Sequence, residues 1–195
     1  MPQALPRVEL VIEPDGAGEG WRSWQAGMAS MFEIEVDHPE EFRAGTTLYS
    51  LGPMVCGPMW TVPQRYKRSR RLVARTGLDQ YMVQLCQSGT AHTLAGHREM
   101  SLRPGMVGIT DFAQTCESVE DVDRNFSVMV PRSLLDDAMG ESLDLHGLTL
   151  TPDTVTGRLF CEYLETLEEL LPRVNHEDAS TVADGVLALL VSALR

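Results

Sequence analysis

Lysine is nearly absent from this sequence: of sixteen basic residues, only Lys67 is not arginine. That bias reflects codon composition rather than chemistry. Positive charge is also short overall, with 28 Asp and Glu against 16 Lys and Arg and a net charge of −12. A surface of that sign excludes a polypeptide that grips nucleic acid by itself, because phosphate neutralisation needs a basic face. No run approaches the roughly 18 apolar residues of a membrane-spanning helix. The start, MPQALPRVELVIEP, lacks the basic opening and long apolar centre of a secretory signal, so a cytoplasmic location is expected. Cys56, Cys86, Cys116 and Cys161 are dispersed and form no CxxC pair, which argues against a disulfide framework and for reduced core residues. None of GxSxG, HExxH or GxxxxGK[ST] occurs.

What is present suits a folded protein. At 195 residues with 43% hydrophobic content, the chain can bury one good core, or a core with an appendage. The stretch from Asp79 to Asp111, DQYMVQLCQSGTAHTLAGHREMSLRPGMVGITD, is the most informative. It reads as four short strands separated by Ser88-Gly89, Ala95-Gly96 and Pro104-Gly105. Short strands with glycine turns at that spacing predict an antiparallel sheet that curls into a barrel or sandwich. A small barrel either fills its interior with side chains or holds one small ligand.

Around this centre, a strand is expected over 8–12 and an amphipathic helix over 21–32, where Trp21, Trp24, Met28 and Met31/Phe32 recur at helical spacing. Further strands are expected over 42–51, 55–61, 72–75 and 126–131, the second being an edge or bulged strand because of Pro53, Pro58 and Pro63. The polar stretch 111–124 reads as a surface loop or weak strand. After Pro131, one or two helical turns over 132–139 precede two long amphipathic helices, one starting after Thr151-Pro152-Asp153 and ended by Pro172, the other running from about Asp178. A short polar turn makes them antiparallel. Gly185 inside the second is explained by a close helix crossing or a surface kink. The chain reaches Arg195 within an apolar helical pattern, and continuation of the polypeptide in its natural form is expected.

Candidate chemistry is sparse. Gly16, Gly18 and Gly20 follow a strand, but Trp21 stands where GxGxxG needs its third glycine, and Asp15 and Glu19 would repel a pyrophosphate. Arg65, Lys67, Arg68, Arg70, Arg71 and Arg75 crowd one segment, read as a solvated loop with a polyanion patch as the alternative. His92 and His97 flank a turn with Glu99 near, yet no HxH pair marks a metal site, so no metal or cofactor is expected. Nothing marks Cys86 as an activated nucleophile, and paired acids such as Asp136-Asp137 and Glu168-Glu169 read as surface charge. Ligand capture is better supported: an apolar strand with a central polar group suits a selective pocket, and Gln84 between Met82 and Cys86 fits. Tyr49, Trp60 and Thr110 are further candidates for its lining. The competing reading packs this face against the helices.

The segments FRAGTTLYSLGPM, RRLVART, the stretch 79–111, FSVMVPRSLL, LTLTPDTVTGRLFCEYLETL and VADGVLALLVSAL, in that order and spacing, resemble the N-terminal sensor domain of AraC-type transcriptional regulators over residues 20–195. The resemblance implies an α+β, mainly β fold: a cupin-like antiparallel barrel (double-stranded β-helix) followed by an antiparallel helical hairpin. It implies a flexible segment over 1–20, a sensor barrel with a short N-terminal helix over 21–140 and a helical dimerisation hairpin over 141–195. It further implies an unknown small-molecule effector in the barrel and homodimerisation through the helices, assigned to Leu159, Tyr163, Leu167, Leu170, Val186 and Leu190. Promoter DNA would be bound only through a C-terminal helix-turn-helix domain that this sequence does not include, which makes the chain a sensor-domain fragment. Alternatives are a cupin-type metalloenzyme, either isomerase or dioxygenase, and a ligand-free protein-interaction barrel.

Overall fold

The structure, a computed structural model, describes residues 3–195, with only the backbone of residues 122 and 123. Among these the chain forms β1 (Arg7–Ile12), α1 (Glu19–Met28), β2 (Glu33–Glu35), β3 (Ala44–Leu51), β4 (Met54–Thr61), β5 (Gln64–Arg68), α2 (Arg70–Thr76), β6 (Gln80–Ala95), β7 (Arg98–Leu102), β8 (Val107–Asp111), β9 (Cys116–Pro131), α3 (Arg132–Met139), β10 (Leu148–Leu150), α4 (Val155–Leu170) and α5 (Ala179–Leu194). All strand pairings are antiparallel, in the order β1-β3-β4-β9-β6-β8-β10, with β5 branching from β9 to β2 and β7 from β6.

Two strands of 16 residues, β6 and β9, form the spine. Their lower halves pair outward with β8 and β4, their upper halves with β7 and β5. The change of partners falls at register shifts between Cys86, Ser88 and Thr90, where Gly89 has φ 77°. This corrects the reading of Ser88-Gly89 as a chain reversal. The glycine supplies the left-handed residue of a bulge, which bends the strand without turning it back. The sheet thereby curls into a half-barrel.

Other expectations are corrected or narrowed. Residues 72–75 lie in α2, not a strand: the Ser69 hydroxyl caps the helix by accepting from Leu72 N at 3.2 Å, a signal stronger than the brief alternation. The basic run is therefore β5 followed by α2, not a loop. Of the loop and the weak strand expected over 111–124, residues 116–124 take the strand, as part of β9. Alternation is present there, with Cys116, Ser118 and Glu120 buried and Glu117 and Val119 exposed, but two of the inward residues are polar. Finally, β4 is interior, between β3 and β9; Pro58 is accommodated because the ladder to β3 is interrupted there.

The two faces of the spine have different partners. Val83 and Leu85 of β6, Val128 and Val130 of β9, and Tyr49 and Cys56 turn toward Phe160, Leu164, Val186 and Leu190 of α4 and α5, forming the main core. Each fully buried aliphatic side chain there contributes about 1.5–3 kcal/mol. The helices cross closely at Gly185, where a Cβ would come within 2.9 Å of Tyr163 Oη, and that hydroxyl donates to Val182 O at 3.3 Å. A second, aromatic-rich core of Trp21, Trp24, Phe32, Phe42, Tyr66 and Phe112 seats α1 on the opposite side. The segment ahead of α1 is folded against the sheet: β1 pairs with β3, and the Asp15 carboxylate accepts from the backbone of Ala17, Gly18 and Gly20.

Candidate functional site

On the concave side of the spine lies a cavity of about 250 Å³. Its floor is the alternate face of the strands that hold the helical core: Thr46 and Leu48 of β3, Val55, Gly57 and Met59 of β4, Met82 and Gln84 of β6, and Ser127 and Met129 of β9. The register accounts for this grouping, because Met82 lies opposite Met129, Gln84 opposite Ser127, and Ser127 opposite Gly57. The end of α1 and the turn after it close the top with Met28, Met31 and Phe32. Five methionines thus line a small space, which gives the walls adaptable, polarizable surfaces.

Polar atoms converge at one end. The Thr93 hydroxyl donates to Ser118 Oγ at 2.9 Å, and the Ser118 hydroxyl donates to Glu120 Oε1 at 3.1 Å. Glu120 is 8% exposed, and its Oε2 has no hydrogen-bond partner; neither does the hydroxyl of the neighbouring, buried Tyr66. Both residues line the cavity. Burial pushes the Glu120 carboxyl up to about 7, while the bond from Ser118 and the nearby Gln84 amide favour its charged form. Burial, reinforced by the Glu120 charge, raises the Tyr66 phenol well above its ordinary range. Among the described residues no Lys, Arg or His lines this space. Chemically, the site offers apolar walls and one acid without a counter-charge.

The expected lining residues separate. Met82 and Gln84 face the cavity. Cys86 is on the same face but beyond it, in a cluster with Ala91, Met100 and Leu102. Thr110 is buried opposite Met82 on β8, outside the lining. Tyr49 points the other way, into the core beneath the helices, and Trp60 lies half-exposed over a shallow outer groove with Val11 and Arg124. Sequence reasoning missed Glu120 and Tyr66. The available signal was parity: Ser118 and Glu120 share one face of 116–120, and Tyr66 faces in from 64–68.

A larger open groove, about 750 Å³, runs beside α1, β2 and β5. Three of its four cations are engaged: Arg65 pairs with Asp37 at 2.7 Å, Lys67 with Glu117 at 2.7 Å, and Arg75 donates to Ala29 O at 2.9 Å, while Arg22 of α1 lies exposed beside them. Arg68 is fully buried, leaving Arg70 and Arg71 toward solvent at the start of α2. The histidines flanking the 95–96 turn are exposed, His92 bonding Ser101 at 3.0 Å, and the described residues contain no group of three or more His, Cys, Asp or Glu able to hold a metal. All four cysteines are buried, and burial pushes their thiols up to about 12 at Cys56 and Cys116 and about 11 at Cys86 and Cys161. High pKa values disfavour the thiolate a nucleophile needs. No helix in the described residues is long and apolar enough to cross a membrane.

The residues assigned to dimerisation do not form one surface. Val186, Leu190 and Leu167 are buried in the core, and Tyr163 is half-buried against α5. Leu159 and Leu170 are exposed, at 52% and 45%, and Val155 joins them at 78%.

The model of the AraC-binding-like domain matches residues 21–195. The chain belongs to that family. The crystal structure of the AraC-like transcriptional activator CuxR superposes with a TM-score of 0.87, covering 97% of this chain and 70% of that one at 21% identity, which establishes the shared fold. The EutQ protein of Clostridium difficile (TM-score 0.34, 16% identity, 47% of this chain and 71% of that one) and an RmlC-like cupin from Shewanella frigidimarina (0.36, 10%, 45% and 76%) are too distant to bear on function. No curated protein matches the AraC-binding-like chain.

Proposed function

We propose that this AraC-binding-like domain is the effector-sensing and self-associating part of a cytoplasmic bacterial transcription regulator, with the Met-lined cavity as its effector site. The observation that carries this is the pair of unpartnered, buried polar atoms, Glu120 Oε2 and Tyr66 Oη, beside an apolar space. Trp24 Nε1, Gln64 Oε1 and Asn125 Nδ2 are also buried without partners, but of these groups only Glu120 and Tyr66 line the apolar space, and each costs about 1–3 kcal/mol while unpaired. A ligand that satisfies them recovers that energy as affinity.

The same strands connect cavity and helices. Met82 and Gln84 face the ligand space while Val83 and Leu85 face α4 and α5. At the β6 bulge, Gln87 Nε2 donates to Glu168 Oε2 at 2.5 Å, and Arg124 bonds both Gln87 and Glu168, tying α4 to the sheet. An effector that fits one curvature of the sheet better shifts the population toward one placement of α4. The exposed stripe of Val155, Leu159 and Leu170 is the surface for a second copy. With a net charge of −12, contact with promoter DNA falls to another part of the regulator.

Thermal-shift screening against small metabolites tests the sensing role, with at least one compound expected to raise Tm. A broad screen in which nothing raises Tm sinks it. Sedimentation at high concentration tests self-association, and a strict monomer with and without a stabilising compound counts against it.

A further inference from the structure

The walls of the cavity restrict what the effector is. Its volume of about 250 Å³ lies below the roughly 300–1,000 Å³ of sites for drug-sized ligands. Resting on the reading of the cavity as an effector site, we propose that the ligand is a small organic amine: an apolar body of on the order of ten non-hydrogen atoms with one protonated nitrogen received by Glu120.

Charge decides between ligand classes. An anionic ligand would meet the Glu120 carboxyl and, among the described residues, no lining Lys, Arg or His to receive its own charge. A purely apolar ligand would leave Glu120 Oε2 and Tyr66 Oη as they are, two buried polar atoms without partners. A protonated amine supplies both missing elements at once, a counter-charge and several N–H donors. Glu120 Oε2 accepts one donor, and Tyr66 Oη and Ser127 Oγ are further acceptors on the same wall. Oε1 is held by Ser118, which is itself held by Thr93, so the carboxyl is fixed before any ligand arrives.

The rest of the lining suits the body of such a molecule. Met28, Met31, Met59, Met82 and Met129 surround it, and methionine adjusts to irregular apolar shapes. The aromatic side chains of Phe32 and Tyr66 also line the space, and aromatic rings attract cations. The groups facing Glu120 are Tyr66 from β5, Gln84 and the Cys86 thiol from β6, and Ser118 and the Cys116 thiol from its own strand. None is a cation, so the charge of the empty site stays uncompensated. Its carboxyl, pushed up to about 7, is largely protonated at slightly acidic pH, and an arriving ammonium would displace that proton to solvent.

The test uses hexylamine and cyclohexylmethylamine, each set against the alcohol and the carboxylate of the same skeleton, on the intact chain. The amines are expected to bind more tightly than their alcohols, and the carboxylates not at all. Calorimetry with hexylamine at about pH 6.5, in two buffers of different protonation enthalpy, should show a proton released to buffer. Glu120→Gln should weaken the amines about 10- to 100-fold and leave the alcohols within about threefold. Should that variant not fold, the wild-type amine-to-alcohol ratio and the proton count decide the matter. Methyl resonances of Met82 and Met129 should shift on adding hexylamine; resonances that stay put mean binding elsewhere and overturn the assignment. Alcohols or carboxylates that bind and shift those resonances at least as strongly as the amines overturn the amine while leaving the effector site intact. Failure of the amines together with an entire metabolite set overturns both.

Discussion

Arg68 lies over the ring of Phe112, its guanidinium carbon 4.9 Å from the centroid, while its Nε donates to Phe112 O at 2.7 Å. The same guanidinium donates to Ser30 O and Met31 O, at 3.2 and 2.7 Å, and to Thr76 Oγ1 at 3.0 Å. A fully buried cation is therefore satisfied by carbonyls and a hydroxyl, without a carboxylate in direct contact. It joins three places distant in sequence: the turn after α1, the end of α2 and the β8–β9 turn. Replacing Arg68 with Met keeps most of the volume but strands those acceptors in the interior. A loss of about 3–5 kcal/mol is expected in urea unfolding. Arg68→Lys should recover only part of it, since one ammonium cannot span a planar fork of acceptors. A change under about 1 kcal/mol would show that the network is replaceable.

How much of this was legible beforehand depends on whether inward positions are apolar. β8, the helices α4 and α5 and the first half of β6 read cleanly, because Tyr81, Val83, Ile109, Phe160 and Leu190 repeat at the period of their element. The second half of β9 was expected over 126–131, but its first half read only as a loop or weak strand, because Ser118 and Glu120 occupy inward positions. The stretch that escaped pattern reading is thus the one that carries the polar end of the site. Arg68 misled in the same way: within a basic run it looks like surface, yet it is buried, on the same inward parity of 64–68 as Tyr66. Gln84 and Met82 were accessible because one polar residue within an apolar strand stands out. Tyr49 and Trp60 could not be placed, since alternation fixes which residues share a face but not which face is concave.

Gly57 sets how closely β3 and β4 approach along the cavity wall. A Cβ at this position would lie 1.8 Å from Thr47 O, a backbone atom that cannot swing aside. Gly57→Ala should therefore push the strands apart where the ladder is already interrupted. The expected result is destabilisation of about 2–4 kcal/mol in chemical denaturation. Faster amide exchange at Thr46 through Leu48 should accompany it.

Glu120 makes stability depend on pH with a sign opposite to that of salt-bridged carboxylates. Its folded-state value, about 7, lies above the ordinary carboxyl value of 4.5 that the unfolded chain has. Below about pH 4.5 both states hold the proton, and the contribution is fully present. As pH rises toward 7 the unfolded chain ionises first, and stability falls by on the order of 3 kcal/mol before levelling off. Glu120→Gln removes the titration, so the unfolding free energy of the variant should gain on that of the wild type between about pH 5 and pH 8. A difference between the two proteins that stays flat across this window would place the carboxyl in contact with water.

The exposed stripe of α4 separates association from folding. Val155, Leu159 and Leu170 fall within about 60° of one another on the helix, at 100° per residue, and Glu162 and Thr166 lie between them on the same face. A stripe that is apolar at its ends and polar in the middle suits a pairing in which each end meets the end of a second copy, as a two-fold axis arranges it. Placing a carboxylate at Leu159, which is 52% exposed and outside the buried core, puts like charges together across such an axis. Leu159→Glu should then shift sedimentation from dimer toward monomer, with urea unfolding of the monomer changed by less than about 0.5 kcal/mol. Leu190→Ala, which empties a fully buried position, should do the reverse: stability falls by about 2–5 kcal/mol, and association changes only as the fold is lost. If Leu159→Glu leaves a dimer unchanged, the second copy docks on another face, and α4 serves the domain only as cover for the sheet.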